Sequence, residues 1–189
     1  MIPRSVFPPT LALLLGAAGC ESIAPEPEVL ACEQPCRDGV AMRAMREMMK
    51  LLYNLTIQGK PVGAHDRTLP CPFGGSARVF GEVSSNAEQG TTEVKLTYEF
   101  TACGYLQRDD EANENYEVKL SGTFRQEGTL TAQSTATTAL IIQGEKVTLE
   151  GSVHDPPQAY AERDCAVEMI QNGNSVSGKI CGRTAGFAF

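Results

Sequence analysis

The stretch that decides the fold is 91–102, TTEVKLTYEFTA, in which Val94, Leu96, Tyr98 and Phe100 alternate with Lys95, Thr97 and Glu99. A side-chain period of two puts the four apolar residues on one face of an extended chain and the polar ones on the other. That is the pattern of a half-buried antiparallel strand. The alternation returns in Tyr116, Val118, Leu120 and Phe124, with Gly122 as a break, and again in Val147, Leu149 and Val153. Asn172-Gly173 is a dipeptide favoured in two-residue hairpin turns. Seven strands are predicted, near 76–83, 91–102, 115–126, 129–143, 146–154, 164–171 and 175–182. The links between them are short, which suits antiparallel neighbours in an up-and-down meander. Such a sheet protects its edges either as a curved open sheet or as a partly closed barrel, and the pattern leaves both open.

Upstream, the period changes from 2 to 3.6. Residues 59–75 are turn-rich, with Pro61, Pro70, Pro72 and several glycines. Before them Ala41, Ala44, Met45, Met48, Leu51, Leu52 and Leu55 recur at spacings of three and four, which predicts an amphipathic helix over 37–55. Arg43, Arg46, Glu47, Lys50 and Asn54 are expected on its outer face. Asp38 is expected to complement the positive N-terminal end of the helix dipole. Met42, Met45, Met48 and Met49 suit core filling, though a methionine face can also hold copper(I). The expected fold class is α+β, mainly β, with this one helix covering a face of the seven-stranded meander.

Residues 1–20, MIPRSVFPPTLALLLGAAGC, have Arg4 as their only charge, a short apolar core from Leu11 to Ala18 and small residues before a cysteine. This is the layout of a secretory leader, and the run is too short to span a bilayer. Ala17-Ala18-Gly19-Cys20 resembles the lipobox of bacterial lipoproteins, differing at Ala17, where leucine is commonest. The resemblance implies cleavage after Gly19 and a lipid on Cys20, which becomes the first residue of the mature chain. Ordinary cleavage releasing a secreted protein is the alternative. Glu21 at the second position is compatible, by the same resemblance, with sorting to the outer membrane rather than the inner. Residues 21–31, ESIAPEPEVLA, have no periodicity and suit a tether reaching about 35 Å at about 3.1 Å per residue. The expected organisation is a signal peptide over 1–19, a lipid-anchored tether over 20–31 and a single domain over 32–189, in the periplasm or on the cell surface.

The whole chain has 189 residues and a formal charge of −7, which becomes −8 when residues 1–19 take Arg4 with them. An acidic chain lacks the clustered positive charge that nucleic-acid binding rests on. Two histidines and no tryptophan leave little material for histidine catalysis or a histidine metal cage. Seven cysteines are an odd set for an exported protein. Assigning Cys20 to lipid leaves six, enough for three disulfides in an oxidising compartment.

The meander narrows the pairings. Cys71 precedes the first predicted strand and Cys103 follows the second, at one end of adjacent strands, and Cys165 and Cys181 likewise share an end. Cys32 and Cys36 remain, closing a small loop before the helix. One detail resists: a turn on Asn172-Gly173 sets Met169 opposite Val176 and Cys165 opposite Ile180, so Cys181 faces the wrong side. A bulge or a three-residue loop would align the two sulfurs.

Cys71-Pro72-Phe73-Gly74-Gly75, Phe100-Thr101-Ala102-Cys103, Asp164-Cys165-Ala166-Val167 and Ser177-Gly178-Lys179-Ile180-Cys181-Gly182 occur in that order around strands such as Leu120 to Phe124. This set resembles uncharacterised predicted lipoproteins of Gram-negative bacteria, over roughly 71–189. The resemblance implies an extracytoplasmic, disulfide-stapled β-domain with Cys71–Cys103 and Cys165–Cys181 bridges. It brings no activity, and Cys32, Cys36 and the methionine helix lie outside its pattern.

No nucleophile elbow, phosphate loop, dinucleotide fingerprint or H-E-x-x-H is present. His65 and His154, each followed by aspartate, are the available bases for a hydrolase; both are expected in exposed loops. Asp109, Asp110 and Glu111 make an acidic run that suits a solvated turn better than a calcium site. Cys32-x-x-x-Cys36 resembles the copper site of membrane-attached copper chaperones, but a structural disulfide is the preferred reading. The expectation is a non-enzymatic, membrane-tethered lipoprotein without cofactor or metal, a structural or binding module for a protein partner or an apolar ligand. Small residues Ala132, Ser134, Ala136 and Thr138 on one strand face leave room for such a ligand. The alternative is a copper(I)-handling lipoprotein using Cys32, Cys36 and the methionine helix.

Overall fold

Pro35 sits in the first turn of the only described helix, α1 (Gln34–Thr56), where its fixed φ favours helix and its missing N–H costs nothing. It starts α1 earlier than the apolar stripe alone indicates. The computed structural model describes residues 32–86, 88, 90–108, 115–131, 137–154 and 156–189. The predicted leader, Cys20 and the tether lie outside the described residues, as do Asp109, Asp110, Glu111, Ala132, Ser134 and Ala136.

Among the described residues eight strands follow α1: β1 (Gly63–Pro70), β2 (Ser76–Asn86), β3 (Thr91–Gln107), β4 (Tyr116–Thr131), β5 (Ala139–Val153), β6 (Gln158–Asn172), β7 (Ser175–Ile180) and β8 (Arg183–Ala188). They form one antiparallel open sheet in chain order, so the up-and-down meander holds with eight strands rather than seven. β1 was expected as turn. Its residues are mostly exposed on both faces, so it carries no apolar alternation, and pairing with β2 alone makes it a strand. Predicted strands 129–143 and 146–154 are also redrawn: Thr129 to Thr131 end β4, and β5 runs through Gly144-Glu145-Lys146 as an irregularity instead of turning there.

The inward sheet face carries Val79, Leu96, Tyr98, Phe124 and Leu149, all nearly or wholly buried, and α1 lies along it, closest to β8. Met42, Met45, Met48 and Met49 are at most 1% exposed and fill the space between helix and sheet. Burying each contributes about 1.5–3 kcal/mol. With β2–β6 and β8 all packed on it, more of α1 is covered than an amphipathic stripe requires. Arg43, Glu47, Lys50 and Asn54 stay at or near the surface as expected, but Arg46 is buried and Leu55 is exposed. On the outside, Arg78 of β2 grips Asp66 of edge strand β1 with Nε and Nη2 at 2.9 and 2.7 Å and reaches Glu99 of β3 at 3.4 Å.

Three disulfides staple the domain: Cys32–Cys36, Cys71–Cys103 and Cys165–Cys181, with Cα separations of 5.2, 5.3 and 4.9 Å. Cys71–Cys103 sits beside the irregularity that Ala102 makes in β3. There Gly75, at φ 74°, packs so closely on the Ala102 carbonyl that a Cβ has no room. The β6–β7 hairpin differs from the expectation. Asn172 pairs with Ser175, so the turn is Gly173-Asn174, and Met169 faces Gly178 rather than Val176. Cys181 N–H then donates to Ala166 O, one residue past Cys165. The sulfurs meet because Asp164 and Cys181 adopt left-handed backbone (φ 50° and 51°), which redirects the side chains without a register shift in the hairpin.

Candidate functional site

The second half of α1 and the strand ends near the β4–β5 and β6–β7 turns enclose a cleft of about 590 Å³. Met49, Ile57, Val83 and Leu130 give it an apolar wall, and Tyr53 and Phe189 flank it. Volumes of about 300–1,000 Å³ with a few placed polar groups are typical of small-ligand sites.

Three polar side chains at this cleft are among the most buried in the domain: Arg46 (6% exposed), Gln126 (3%) and Gln171 (6%). Gln126 and Gln171 occupy positions that the strand period turns inward, whereas Arg46 lies on a second helical stripe that the packing covers. Arg46 belongs to the stripe Met42, Arg46, Met49, Tyr53 on α1; Gln126 follows Phe124 on the inner face of β4; Gln171 follows Val167 and Met169 on β6. Arg46 Nε donates to Gln171 Oε1 at 2.6 Å, and Gln171 Nε2 donates to Gly173 O at 2.9 Å, so the hairpin turn orients the guanidinium. Among the described residues no carboxylate forms an ion pair with Arg46. Burial pulls its pKa below the usual arginine value, against the smaller opposing effects of Glu47 and Tyr98. Exposed Lys50 and Lys60 stand at the rim, and among the described residues no aspartate or glutamate lines the cleft.

A second polar cluster ties the other end of α1 to the sheet. Asp38 is wholly buried. Its Oδ1 accepts from Gln34 Nε2 at 2.8 Å, from Tyr160 OH at 2.8 Å and from Arg183 Nη2 at 2.9 Å, while Oδ2 accepts from Arg183 Nε at 2.7 Å. Burial alone would raise the carboxyl pKa, but the bonds from Arg183, Tyr160 and Gln34 outweigh it and hold Asp38 below the usual carboxylate range. The residue expected to serve the helix dipole is instead a bolt between α1, β6 and β8.

Among the other predicted residues, Cys32 and Cys36 lie beside His154, all three donor atoms within 4.8 Å of one another. His154 Nδ1 is buried without a hydrogen-bond partner. As a disulfide the two sulfurs are not thiolate ligands. Neither His154 nor His65 makes a side-chain hydrogen bond to a serine or carboxylate among the described residues, and neither is fully exposed. Of the four small residues proposed to line a ligand space, Thr138 does line the cleft. The methionine face offers no accessible sulfur, since all four side chains are in the core.

For Gln126 and Gln171 the sequence carries a signal, a polar residue at a strand position whose alternation points inward; for Arg46 the helical period points to the outer face, and only the packing around α1 buries it.

No family model, no curated protein and no solved structure matches this chain.

Proposed function

We propose that this chain is a membrane-tethered extracytoplasmic lipoprotein, held by lipid on Cys20, whose disulfide-stapled β-domain is a non-enzymatic binding module. Its ligand is an apolar molecule seated between α1 and the sheet. The cleft of about 590 Å³ with its apolar wall carries this reading. The anchor is supported by the leader-like residues 1–19 and by cysteine parity: six of the seven cysteines are bridged, and Cys20 is the one left over. The domain belongs in the cell envelope, at the outer membrane by the reading of Glu21. Fatty-acid labelling with cell fractionation tests the anchor. Label and membrane association are expected for the native chain and lost in Cys20→Ser; label retained in Cys20→Ser refutes it. A native mass spectrum of the exported Cys20→Ser chain tests the module, with an added mass of lipid size expected.

One observation favours a copper(I)-handling reading, in a form without the methionines. His154 supplies a third donor beside Cys32 and Cys36, with Nδ1 unpartnered. A dithiol reductant would break the Cys32–Cys36 bond, becoming a disulfide as it delivers two electrons and two protons, and copper(I) would then displace the thiol protons. A thiol count on the exported Cys20→Ser chain decides: two reactive thiols support this reading, and none leaves a staple.

A further inference from the structure

The cleft is charged the wrong way for the protein it belongs to. The chain carries −7 overall, yet among the described residues the cleft is lined by Arg46, Lys50 and Lys60 and by no acidic side chain. By contrast, the depression that begins next to it across β2–β4 carries Glu82, Glu93 and Glu127. Lys50 has a neighbour in Glu47 at 3.4 Å, but Lys60 and Arg46 have no ion pair among the described residues.

Arg46 is the informative member. A guanidinium brought out of water costs several kcal/mol unless a counter-charge or a full set of acceptors replaces its hydration. Here Gln171 Oε1 supplies one neutral acceptor, to Nε. The Nη groups, which give arginine its bidentate fork for carboxylate or phosphate, make no side-chain hydrogen bond that the described structure shows. Gln171 is itself anchored on Gly173 O, so the guanidinium is oriented before any ligand arrives. The Nη atoms are not among the buried unpartnered ones, so the fork is open to the cleft rather than sealed in the core. Next to this head site lie Ile57, Val83 and Leu130, which can take a hydrocarbon chain but no second charge.

We infer that the cleft binds a single-chain amphiphile with an anionic head, its carboxylate or phosphate oxygens on the Arg46 fork and its alkyl chain along the wall of Ile57, Val83 and Leu130. This rests on the binding reading above and names its ligand class. Lys50 and Lys60 attract the head electrostatically at the rim. Gln171 is a positioning residue, and Arg46 is the group that touches the ligand.

The test uses the full chain with Cys20→Ser, exported, purified without detergent and stripped of bound lipid. Tetradecanoate and 1-tetradecanol, the same chain length with and without the charge, are titrated separately and read by native mass spectrometry and calorimetry. One tetradecanoate per chain is expected, bound about tenfold or more tightly than the alcohol, the order expected of a charge-assisted hydrogen-bond pair. In Arg46→Met the preference for the acid disappears while the alcohol still binds; Arg46→Lys keeps part of it. Equal binding of acid and alcohol to the native cleft overturns the anionic-head inference and leaves the apolar-ligand reading standing. Persistence of the preference in Arg46→Met overturns the assignment to Arg46. Binding of neither probe removes the cleft-binding reading and the inference together. Displacement of tetradecanoate by an equal concentration of acetate shows a small-anion site and refutes the amphiphile. The comparison of probes on the native cleft needs no Arg46 variant, so it stands even if Arg46→Met does not fold.

Discussion

Asp38→Asn is the perturbation that tests the packing argument most directly. The wild-type carboxylate accepts four hydrogen bonds from three side chains while wholly buried, and two of them come from Arg183. Asparagine keeps one oxygen, but its amide donates, so whichever way it is turned it sets a donor against a donor and removes the buried one of the two counter-charges of Arg183. Breaking a buried ion pair costs about 3–5 kcal/mol. The Arg183 side chain is 38% exposed and can recover part of its hydration, and Glu162 still accepts from its Nη2, which places the expected loss at the lower end, about 3 kcal/mol. With a urea m-value of about 2 kcal/mol/M, the unfolding midpoint falls by about 1.5 M. The pH dependence supplies a second, independent readout. Because the folded carboxyl is held below its unfolded value near 3.8, its stabilisation is fully present above that value and is lost as pH falls through the folded one. The gap between wild type and Asp38→Asn is therefore expected in full at pH 7 and should narrow only as pH falls below 3.8 and through the depressed folded value. A variant within about 0.5 kcal/mol of wild type at neutral pH, or a gap unchanged in acid, refutes the assignment of Asp38 as an ionised bolt.

The three disulfides should differ in worth with the length of loop each closes. With separations of 32, 16 and 4 residues, the chain-entropy relation gives about 4, 3 and 2 kcal/mol for Cys71–Cys103, Cys165–Cys181 and Cys32–Cys36. Urea unfolding of the three double Cys→Ala variants checks this, and an inverted order would contradict it. Gly75→Ala forces a Cβ onto the Ala102 carbonyl at a left-handed φ, so a loss of about 2 kcal/mol or more is expected by thermal or urea unfolding. A neutral Gly75→Ala would mean that the Cys71–Cys103 corner is not packed as described. Met48→Ala should cost about 2–5 kcal/mol, since the side chain is 1% exposed between helix and sheet. A cost below about 1 kcal/mol would argue that the methionines are not core.

Much of this architecture was written in the local pattern. The alternation from Val94 to Phe100 is a backbone property: in any sheet those residues share a face, and water drives the apolar one inward. The spacing of Ala41, Met45, Met48 and Leu52 likewise marks a helix wherever it packs, and short links make antiparallel neighbours the economical topology. The leader-like segment and the odd cysteine were legible for the same reason, being matters of composition and parity rather than of packing.

What required tertiary structure were features whose cause lies far along the chain. β1 has no buried face, so only its hydrogen bonds to β2 make it a strand, and no local pattern announces that. Asp38 looked like a helix-dipole residue until β6 and β8 brought Tyr160 and Arg183 to it, 122 and 145 positions away. Arg46 looked like a surface charge because a helix packed on one element buries one stripe, whereas β2–β6 and β8 all pack on α1 and cover the next stripe as well. Local sequence determines which faces an element has; how many of them are covered depends on everything that packs against it from far along the chain. Here that packing turned an arginine expected at the surface into a buried side chain lining a cleft.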